Sequence, residues 1–393
     1  MPMTDSATVL LPGSTLGLMG GGQLGRMFAQ AAATMGYHVA VLEPGASSPA
    51  GEVSREQIAA KYTDEAALAE LAGKVSAVTT EFENVPAPAL AFLENAGLRV
   101  APPSSAVAVT QDRNDEKHFI SAVAGVPVAP NAAVRTESDI DTLDAALLPG
   151  ILKTARLGYD GKGQARVSTI EEVRQAFRDF GGVECVLEKR LALRLEVSVI
   201  VARNAQGETA TFPVSENFHR NGILAVSVLP ARIDEETAAR ARAYAARIAT
   251  ALSYVGVLCV EFFVLEDGSL LVNELAPRPH NSGHATIDAC VTSQYEQQVR
   301  TMAGLPLGDT AQHSFAVMLN ILGDEWFDEN GVRREPDWAG VTAVPGAKLH
   351  IYGKAEARRA RKMGHVTVVG RTADEAMARA CEAARILHLP EPV

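Results

Sequence analysis

At 393 residues the chain is longer than a single hydrophobic core usually grows, so two or three domains are expected. It is 47% hydrophobic and 21% charged, ordinary for a globular protein, and its net charge of −11 argues against nucleic acid as the main partner. Four widely spaced cysteines show no CxxC or zinc pattern, the N-terminal tract has an acid and no Lys or Arg before its apolar run, and no apolar run reaches about 18 residues. A reducing, cytoplasmic setting is expected, with no signal peptide and no membrane partner.

Ser14–Met19 reads as a strand, followed by Gly20-Gly21-Gly22-Gln23-Leu24-Gly25, the helical pattern Arg26–Met35 and a second strand, Tyr37–Leu42, ending at Glu43. This matches GxGxxG with a following acid in a strand–turn–helix context, which keeps an NAD-type dinucleotide site open. The broader expectation is that backbone N–H groups at the helix start receive a phosphate or another anion. Val75–Thr80 is a further strand ending in Glu81-Phe82-Glu83-Asn84. Two acids and an amide beyond a strand's carboxyl end suit a ribose hydroxyl or an amine, although a solvated acidic loop reads the same way. Val107–Ala122 is expected to be one helix, with Arg113 and Lys117 a turn apart, facing either a ligand or solvent.

Around Pro127–Pro130 the composition shifts and a second domain is expected. Ile151–Thr154 is a strand containing Lys153, and Gly158-Tyr159-Asp160-Gly161-Lys162-Gly163-Gln164 joins it to Ala165–Val167. The loop lies between two strands and lacks the GxxxxGK[ST] spacing, so it is not a Walker loop. The alternatives are a lid closing over phosphates, with Lys153 reaching them, and a plain surface hairpin. Glu184–Glu188 is a strand ending in Glu188-Lys189-Arg190-Leu191, where an adenine edge would meet exposed backbone. Glu196 falls in the strand Leu195–Val201, Glu216–Gly222 reads as a polar turn carrying His219, and Asp234 is placed to cap a helix over Ala231–Leu252.

Val257–Leu265 and Ser269–Leu275 flank Asp267-Gly268, the signal for a two-residue hairpin loop. That loop sets Glu261 opposite Glu274 on one face, with Cβ atoms roughly 5 Å apart, and puts Asn273 on the other face. Facing carboxylates in a half-buried hairpin are destabilising, and a divalent cation relieves them; Mg²⁺ held by one or two carboxylates points to a nucleotide triphosphate. Pairing with Lys or Arg from elsewhere is the alternative. The run Arg278-Pro279-His280-Asn281-Ser282-Gly283-His284 follows. After Gly304–Gly308 a third unit begins, with a strand at Phe315–Leu322, a basic turn over Arg358–His365 before the strand Val366–Val369, and a closing helix, Ala373–Leu387. In so acidic a chain this basic cluster, with Lys354, Arg361 and Lys362, is a phosphate candidate.

A strand lysine, a Gly-rich lid, Glu-Lys-Arg-Leu and two metal carboxylates beside an asparagine together resemble the ATP-grasp ligases. More narrowly, GGGQLGRM, EFENVP, LGYDGKGQ, ENFHRNGI, NELAPRPHNSGH and RKMGH are similar, in order from Leu16 to about Leu387, to the 5-(carboxyamino)imidazole ribonucleotide synthase family. The resemblance implies an α/β and α+β multidomain fold. A Rossmann-like pre-ATP-grasp domain would occupy residues 1–117, an ATP-grasp domain 118–308 with its lid at roughly 125–186, and a small β-rich C-terminal domain 309–393. It implies carboxylation of aminoimidazole ribonucleotide by bicarbonate with ATP, through carboxyphosphate, giving ADP and phosphate, in a homodimer. ATP would meet Arg113, Lys153, Gly158, Tyr159, Asp160, Gly161, Lys162, Gly163, Gln164, Glu188, Lys189, Arg190, Leu191, Glu196, His219, Asn273 and Glu274. Mg²⁺ would sit on Glu261 and Glu274. The ribonucleotide would meet Gly22, Gln23, Glu81, Glu83, Asn84, Lys354, Arg361 and Lys362. Arg278, His280 and Asn281 are implied for bicarbonate, with Tyr159 and Asp160 acting from the lid. The other readings are a formate-using ATP-grasp enzyme, an NAD-dependent oxidoreductase and a nucleotide-binding protein without catalysis.

Overall fold

A computed structural model of the chain describes residues 8–158 and 163–392; Tyr159, Asp160, Gly161 and Lys162 lie outside the described residues. The first sheet is parallel, from β1 (Thr15–Met19), β2 (His38–Glu43), β3 (Glu56–Ala59), β4 (Ala77–Thr80) and β5 (Arg99–Val100), in the order β3-β2-β1-β4-β5. Its central strands are apolar on both faces because helices cover both, and the first helix, Gln23–Thr34, buries Leu24, Met27 and Phe28 against it.

Four strands, β6 (Asn131–Val134), β7 (Gly150–Thr154), β8 (Gln164–Val167) and β9 (Cys185–Lys189), make a second sheet in the order β6-β9-β7-β8. The helix Ile170–Asp179, capped by Thr169, covers it with Val173, Ala176 and Phe177. The third sheet holds β10 (Leu193–Arg203), β11 (Thr209–Thr211), β12 (Ser215–Arg220), β13 (Ile223–Leu229), β14 (Gly256–Leu265), β15 (Leu270–Ala276), β16 (Phe315–Leu322), β17 (Ala347–Ile351) and β18 (Lys362–Gly370). Its order is β15-β14-β10-β12-β13-β16-β18-β17, with β11 on β10, so the C-terminal strands extend the sheet that carries the acidic hairpin.

Four local expectations are corrected. Val107–Ala122 is broken into helices Ser104–Thr110 and Arg113–His118, followed by a wider turn at Phe119–Val123, because Asp112 leaves the helical region (φ −129) and caps the second helix by accepting from the Asn114 N–H at 2.9 Å. Glu216–Arg220 is not a turn but strand β12; only Asn221 and Gly222 turn the chain, both at positive φ (51 and 78). The basic turn is shorter than expected, since Lys362–His365 already belongs to β18.

The fourth correction concerns the acidic hairpin. The Leu265 N–H donates to the Ser269 carbonyl at 2.9 Å and Gly268 has φ +82, so the loop is the three residues Glu266-Asp267-Gly268. The register then slips back at a bulge: Phe262 pairs with Val272, yet Glu261 pairs with Glu274, leaving Asn273 as the extra residue. Leu270, Val272 and Leu275 therefore share the core face, while Asn273 falls on the same face as Glu274 and not opposite it. Without the bulge Glu274 would point into an apolar core.

Between the C-terminal unit and the rest, His284, His365 and His350 stack in a ladder with ring centroids 4.6 and 4.4 Å apart. Tyr295 faces His284 at 3.1 Å, Tyr352 faces His365 at 2.9 Å and Asp288 faces His350 at 2.8 Å. Burial, reinforced by neighbouring cationic groups, holds His284 and His365 well below the usual imidazole range. A depressed folded pKa means the unfolded chain takes up protons that the native state refuses, so stability is lost as pH falls below about 6.5. His365→Phe is expected to lose less stability between pH 7.5 and 5.5 than the parent, by up to about 1.4 kcal/mol per pH unit, measured by denaturant unfolding at both pH values. Parallel pH profiles would exclude a titrating role for the ladder.

Candidate active site

The helix Arg113–His118 aims Arg113 and Lys117 inward, not at solvent. Arg113 ion-pairs with Glu274 at 2.8 Å and donates to the Gly158 carbonyl at 3.3 Å, tying one end of the lid loop to the hairpin. Lys117 is 1% exposed; its Nζ donates to the Asn273 carbonyl at 2.5 Å and lies 3.4 Å from Glu188. Glu116, also buried, accepts the Leu275 N–H at 2.8 Å. Two neighbouring side chains of one helix thus grip the bulge that places Glu274, a role invisible in the sequence because the helix was read as continuous. Lys153 reaches Glu188 from β7 at 3.1 Å, so Arg113, Lys117 and Lys153 form a cationic floor. Those charges outweigh burial and hold Glu274 down at about 2 and Glu188 below the usual carboxylate range.

The other expected nucleotide residues fall on β8, on the end of β9 and on β10 and β12. Gly163 (φ +67) and Gln164 pair with the end of β7, the Gly163 carbonyl accepting the Thr154 N–H at 2.9 Å. The Lys189 and Arg190 N–H groups are taken by the carbonyls of Pro130 and Pro149, both at 2.9 Å, and Leu191 follows directly. Glu196 and His219 meet across β10 and β12 at 3.0 Å. Tyr159, Asp160, Gly161 and Lys162 are outside the described residues.

Opposite Glu274, Glu261 faces His280, with 3.1 Å between Nε2 and the carboxylate. Burial alone would push His280 down, but the neighbouring Cys259 and Glu261 outweigh it and lift the ring to about 10. Its Nδ1 lies 2.9 Å from Ser282 Oγ, which ends a buried chain: Ser227 donates to Asn217 (2.8 Å), Asn217 to Ser198 (2.9 Å) and Ser198 to Ser282 (2.7 Å). The chain orients His280; Ser198 and Ser227 were missed, since a serine inside a strand carries no distinguishing spacing, whereas Ser282 lies in the run named from the sequence. Both side-chain atoms of buried Asn281 and the Oδ1 of Asn273 have no partner among the described residues, although such groups are normally satisfied. Glu261 and Glu274, joined by Asn273 Oδ1, are an all-oxygen donor set that fits Mg²⁺.

Arg278 ion-pairs with Glu83 at 2.7 Å and brings the acidic loop after β4, with half-buried Asn84, against this centre. The glycine-rich loop differs from the dinucleotide expectation. Glu81 accepts from the Gly22 N–H at 2.8 Å and the Gly25 N–H at 3.0 Å, and Glu43 accepts from Gly21 at 2.8 Å. A Cβ at Gly22 would lie 2.3 Å from Glu81, so glycine here admits a carboxylate of the chain itself. The helix start holds an internal anion where a dinucleotide would place its pyrophosphate. Gln23 instead lines a cleft of about 920 Å³ with Lys354, Arg358, Arg359, Arg361 and Lys362. The Lys354 ammonium donates to the Lys362 carbonyl at 2.7 Å, and Arg361 to the Glu356 carbonyl at 2.9 Å.

Residues 119–295 match the ATP-grasp domain family, residues 14–111 the ribonucleotide synthetase preATP-grasp domain and residues 316–379 the phosphoribosylaminoimidazole carboxylase C-terminal domain. The N5-carboxyaminoimidazole ribonucleotide synthase of Brucella melitensis biotype 1 is 49% identical over 366 residues, 92% of this chain and 97% of that protein. The crystal structure of the ADP complex of an N5-carboxyaminoimidazole ribonucleotide synthetase superposes with a TM-score of 0.89 at 44% identity, covering 97% of this chain and 98% of that one. The Aspergillus clavatus N5-carboxyaminoimidazole synthase in complex with ADP and 5-aminoimidazole ribonucleotide superposes with a TM-score of 0.86 at 27% identity, covering 96% of this chain and 100% of that one. Half the residues of the Brucella protein recur along nearly its full length, and all three matched domains occur in order; the chain belongs to the N5-carboxyaminoimidazole ribonucleotide synthase family of ATP-grasp enzymes.

Proposed function

We propose that this chain carboxylates the exocyclic amine of 5-aminoimidazole ribonucleotide with bicarbonate at the expense of ATP, giving ADP, phosphate and the N5-carboxylated ribonucleotide. The carrying observation is the meeting of the Glu261–Glu274 pair and its cationic floor with an unpartnered amide at Asn281, beside Arg278 and His280. In this reading Lys153, Arg113, His219, Glu196 and the lid position ATP, while Glu261, Glu274 and Asn273 hold Mg²⁺, which neutralises phosphate charge when bound. Arg278, cationic His280 and Asn281 present bicarbonate oxygen to the γ-phosphate, forming carboxyphosphate, which lid closure keeps from water. The basic cleft beside Gln23 takes the ribonucleotide phosphate, and Glu83 and Asn84 line the approach of its amine. The four free thiols accord with a reducing cytoplasm, and family resemblance supports a homodimer. The test is ADP release with each substrate omitted in turn. ADP formation is expected to require the ribonucleotide and bicarbonate together; ADP formation with formate in place of bicarbonate would overturn the proposal in favour of a transformylase.

Lys354 gives this reading a pH signature. Burial and the charges on Arg361 and Lys362 push its ammonium down to about 8. It is therefore a cation below that pH and is lost as a phosphate partner above it. The kcat/KM for the ribonucleotide should fall as pH rises through about 8, since that ratio reports the free enzyme. Lys354→Met should raise KM for the ribonucleotide at low pH, abolish this limb and leave KM for ATP alone. A change in ATP affinity instead would assign the basic cleft to the nucleotide.

A further inference from the structure

Cys259 touches no substrate in the proposed reaction, although it helps keep His280 protonated, and it lies two residues before Glu261 on the face of β14 that carries the carboxylate pair. The Cys259 thiol, the Glu261 carboxylate and an imidazole nitrogen of His280 offer ligand atoms that all lie within 4.8 Å of one another. Among the described residues no other group of three or more His, Cys, Asp and Glu side chains is gathered in this way. We propose that Cys259, Glu261 and His280 form a thiophilic metal site, taking Zn²⁺ or Cd²⁺, whose occupation switches the enzyme off.

The chemistry of the donors differs from that of the carboxylate pair. Glu261, Glu274 and Asn273 offer oxygen alone, which suits Mg²⁺, whereas sulfur, nitrogen and one carboxylate oxygen suit a soft or borderline ion with a fourth position left open. His280 is already oriented for the role: Nε2 is aimed at Glu261 and Nδ1 is held by Ser282 Oγ at 2.9 Å, the outer hydrogen bond that ligating imidazoles ordinarily make. The Glu261 and His280 side chains keep 10% and 14% of their surface exposed, so an ion can enter from the reaction cleft although Cys259 itself is buried. Binding releases the thiol proton and the second imidazole proton to solvent and forms metal–sulfur, metal–nitrogen and metal–oxygen bonds with no change of oxidation state. It also withdraws Glu261 from Mg²⁺ and turns His280 from an anion-holding cation into a neutral ligand, hence the inhibition.

The site is read without turnover by adding Cd²⁺ alone to the protein, free of Mg²⁺ and nucleotide, and following the ultraviolet thiolate-to-cadmium charge-transfer band. One equivalent per chain should saturate the band, and Cys259→Ala and the near-isosteric Cys259→Ser should each abolish it while Cys185, Cys290 and Cys381 remain. Under turnover with Mg²⁺ and ATP, Zn²⁺ should inhibit the parent. Measured against its own rate without Zn²⁺, Cys259→Ala should need more than the roughly 10–100-fold higher Zn²⁺ for half-inhibition that loss of an outer partner alone would explain. Only the inhibition arm rests on the proposed function; the cadmium band reports the site even if the reaction is another. Absence of the band, or its persistence in both variants, overturns the site. Equal Zn²⁺ sensitivity in parent and variants overturns the switch and places the inhibitory ion on Glu261 and Glu274.

Discussion

Glu274→Gln is expected to lower kcat by on the order of 10²–10³, about 3–4 kcal/mol, the scale of removing one preorganised group that stabilises developing charge. The fold should survive, because Gln can still accept from Arg113 across the 2.8 Å contact and the bulge is held independently by Glu116 and Lys117. Glu274 is held down at about 2 by the cations around it, so the parent presents a full carboxylate throughout the working range and the substitution removes a real charge. Glu261→Gln should cost a comparable amount. The double variant should be little worse than either single one, since two groups clamping one ion act as a unit. Rate constants at saturating ATP over a range of Mg²⁺ check this. Full activity of Glu274→Gln at ordinary Mg²⁺ would reduce the pair to partners of Arg113 and His280.

The facing of these two carboxylates was legible in the sequence, but through two departures that cancel. The Asp-Gly dipeptide indicated a two-residue loop; the chain uses three residues, which alone would shift the register by one. The bulge at Asn273 shifts it back before Glu274, so the pair forms although the geometry between turn and pair was misjudged. Nothing in the local sequence marks that bulge. It is specified from a distance, by Lys117 and Glu116 on a helix more than 150 residues earlier. The same helix shows why the sequence left Lys117 open between a ligand and solvent: periodicity gives a side chain's direction only if the helix runs unbroken, and Asp112 breaks it. Strand β12 was hidden for a different reason. Its Asn217 and Ser215 are polar because they serve a buried network, and polarity in a short segment reads as a turn. The glycine loop carried the right expectation, an anion at a helix start, without saying whose; that Glu81 supplies it could be known only once β4 was seen beside β1.

Arg278→Met is expected to cost both stability and turnover, and the two losses can be separated. Arg278, 14% exposed, pairs with Glu83, 31% exposed, at 2.7 Å, and its guanidinium holds Glu83 below the usual carboxylate range. Removing the arginine leaves Glu83 a half-buried charge without its partner, which costs folding stability, though less than the roughly 3–5 kcal/mol of a fully buried broken pair because water still screens it. If Arg278 also holds bicarbonate, kcat should fall by about 10²–10³ besides, the loss expected for one preorganised donor. Adding Glu83→Gln to Arg278→Met removes the stranded charge, so unfolding in denaturant should return most of the way to the parent. Turnover should not return with it, because the donor to the reacting oxygens is still missing, and the single Glu83→Gln variant measures what Glu83 itself contributes along the approach of the amine. The ratio of ADP to carboxylated product should also rise above one, as a poorly held bicarbonate lets phosphate leave to water. Recovery of turnover together with stability in the double variant would mean that Arg278 only neutralises Glu83, and bicarbonate would then have to be held by His280 and Asn281 alone.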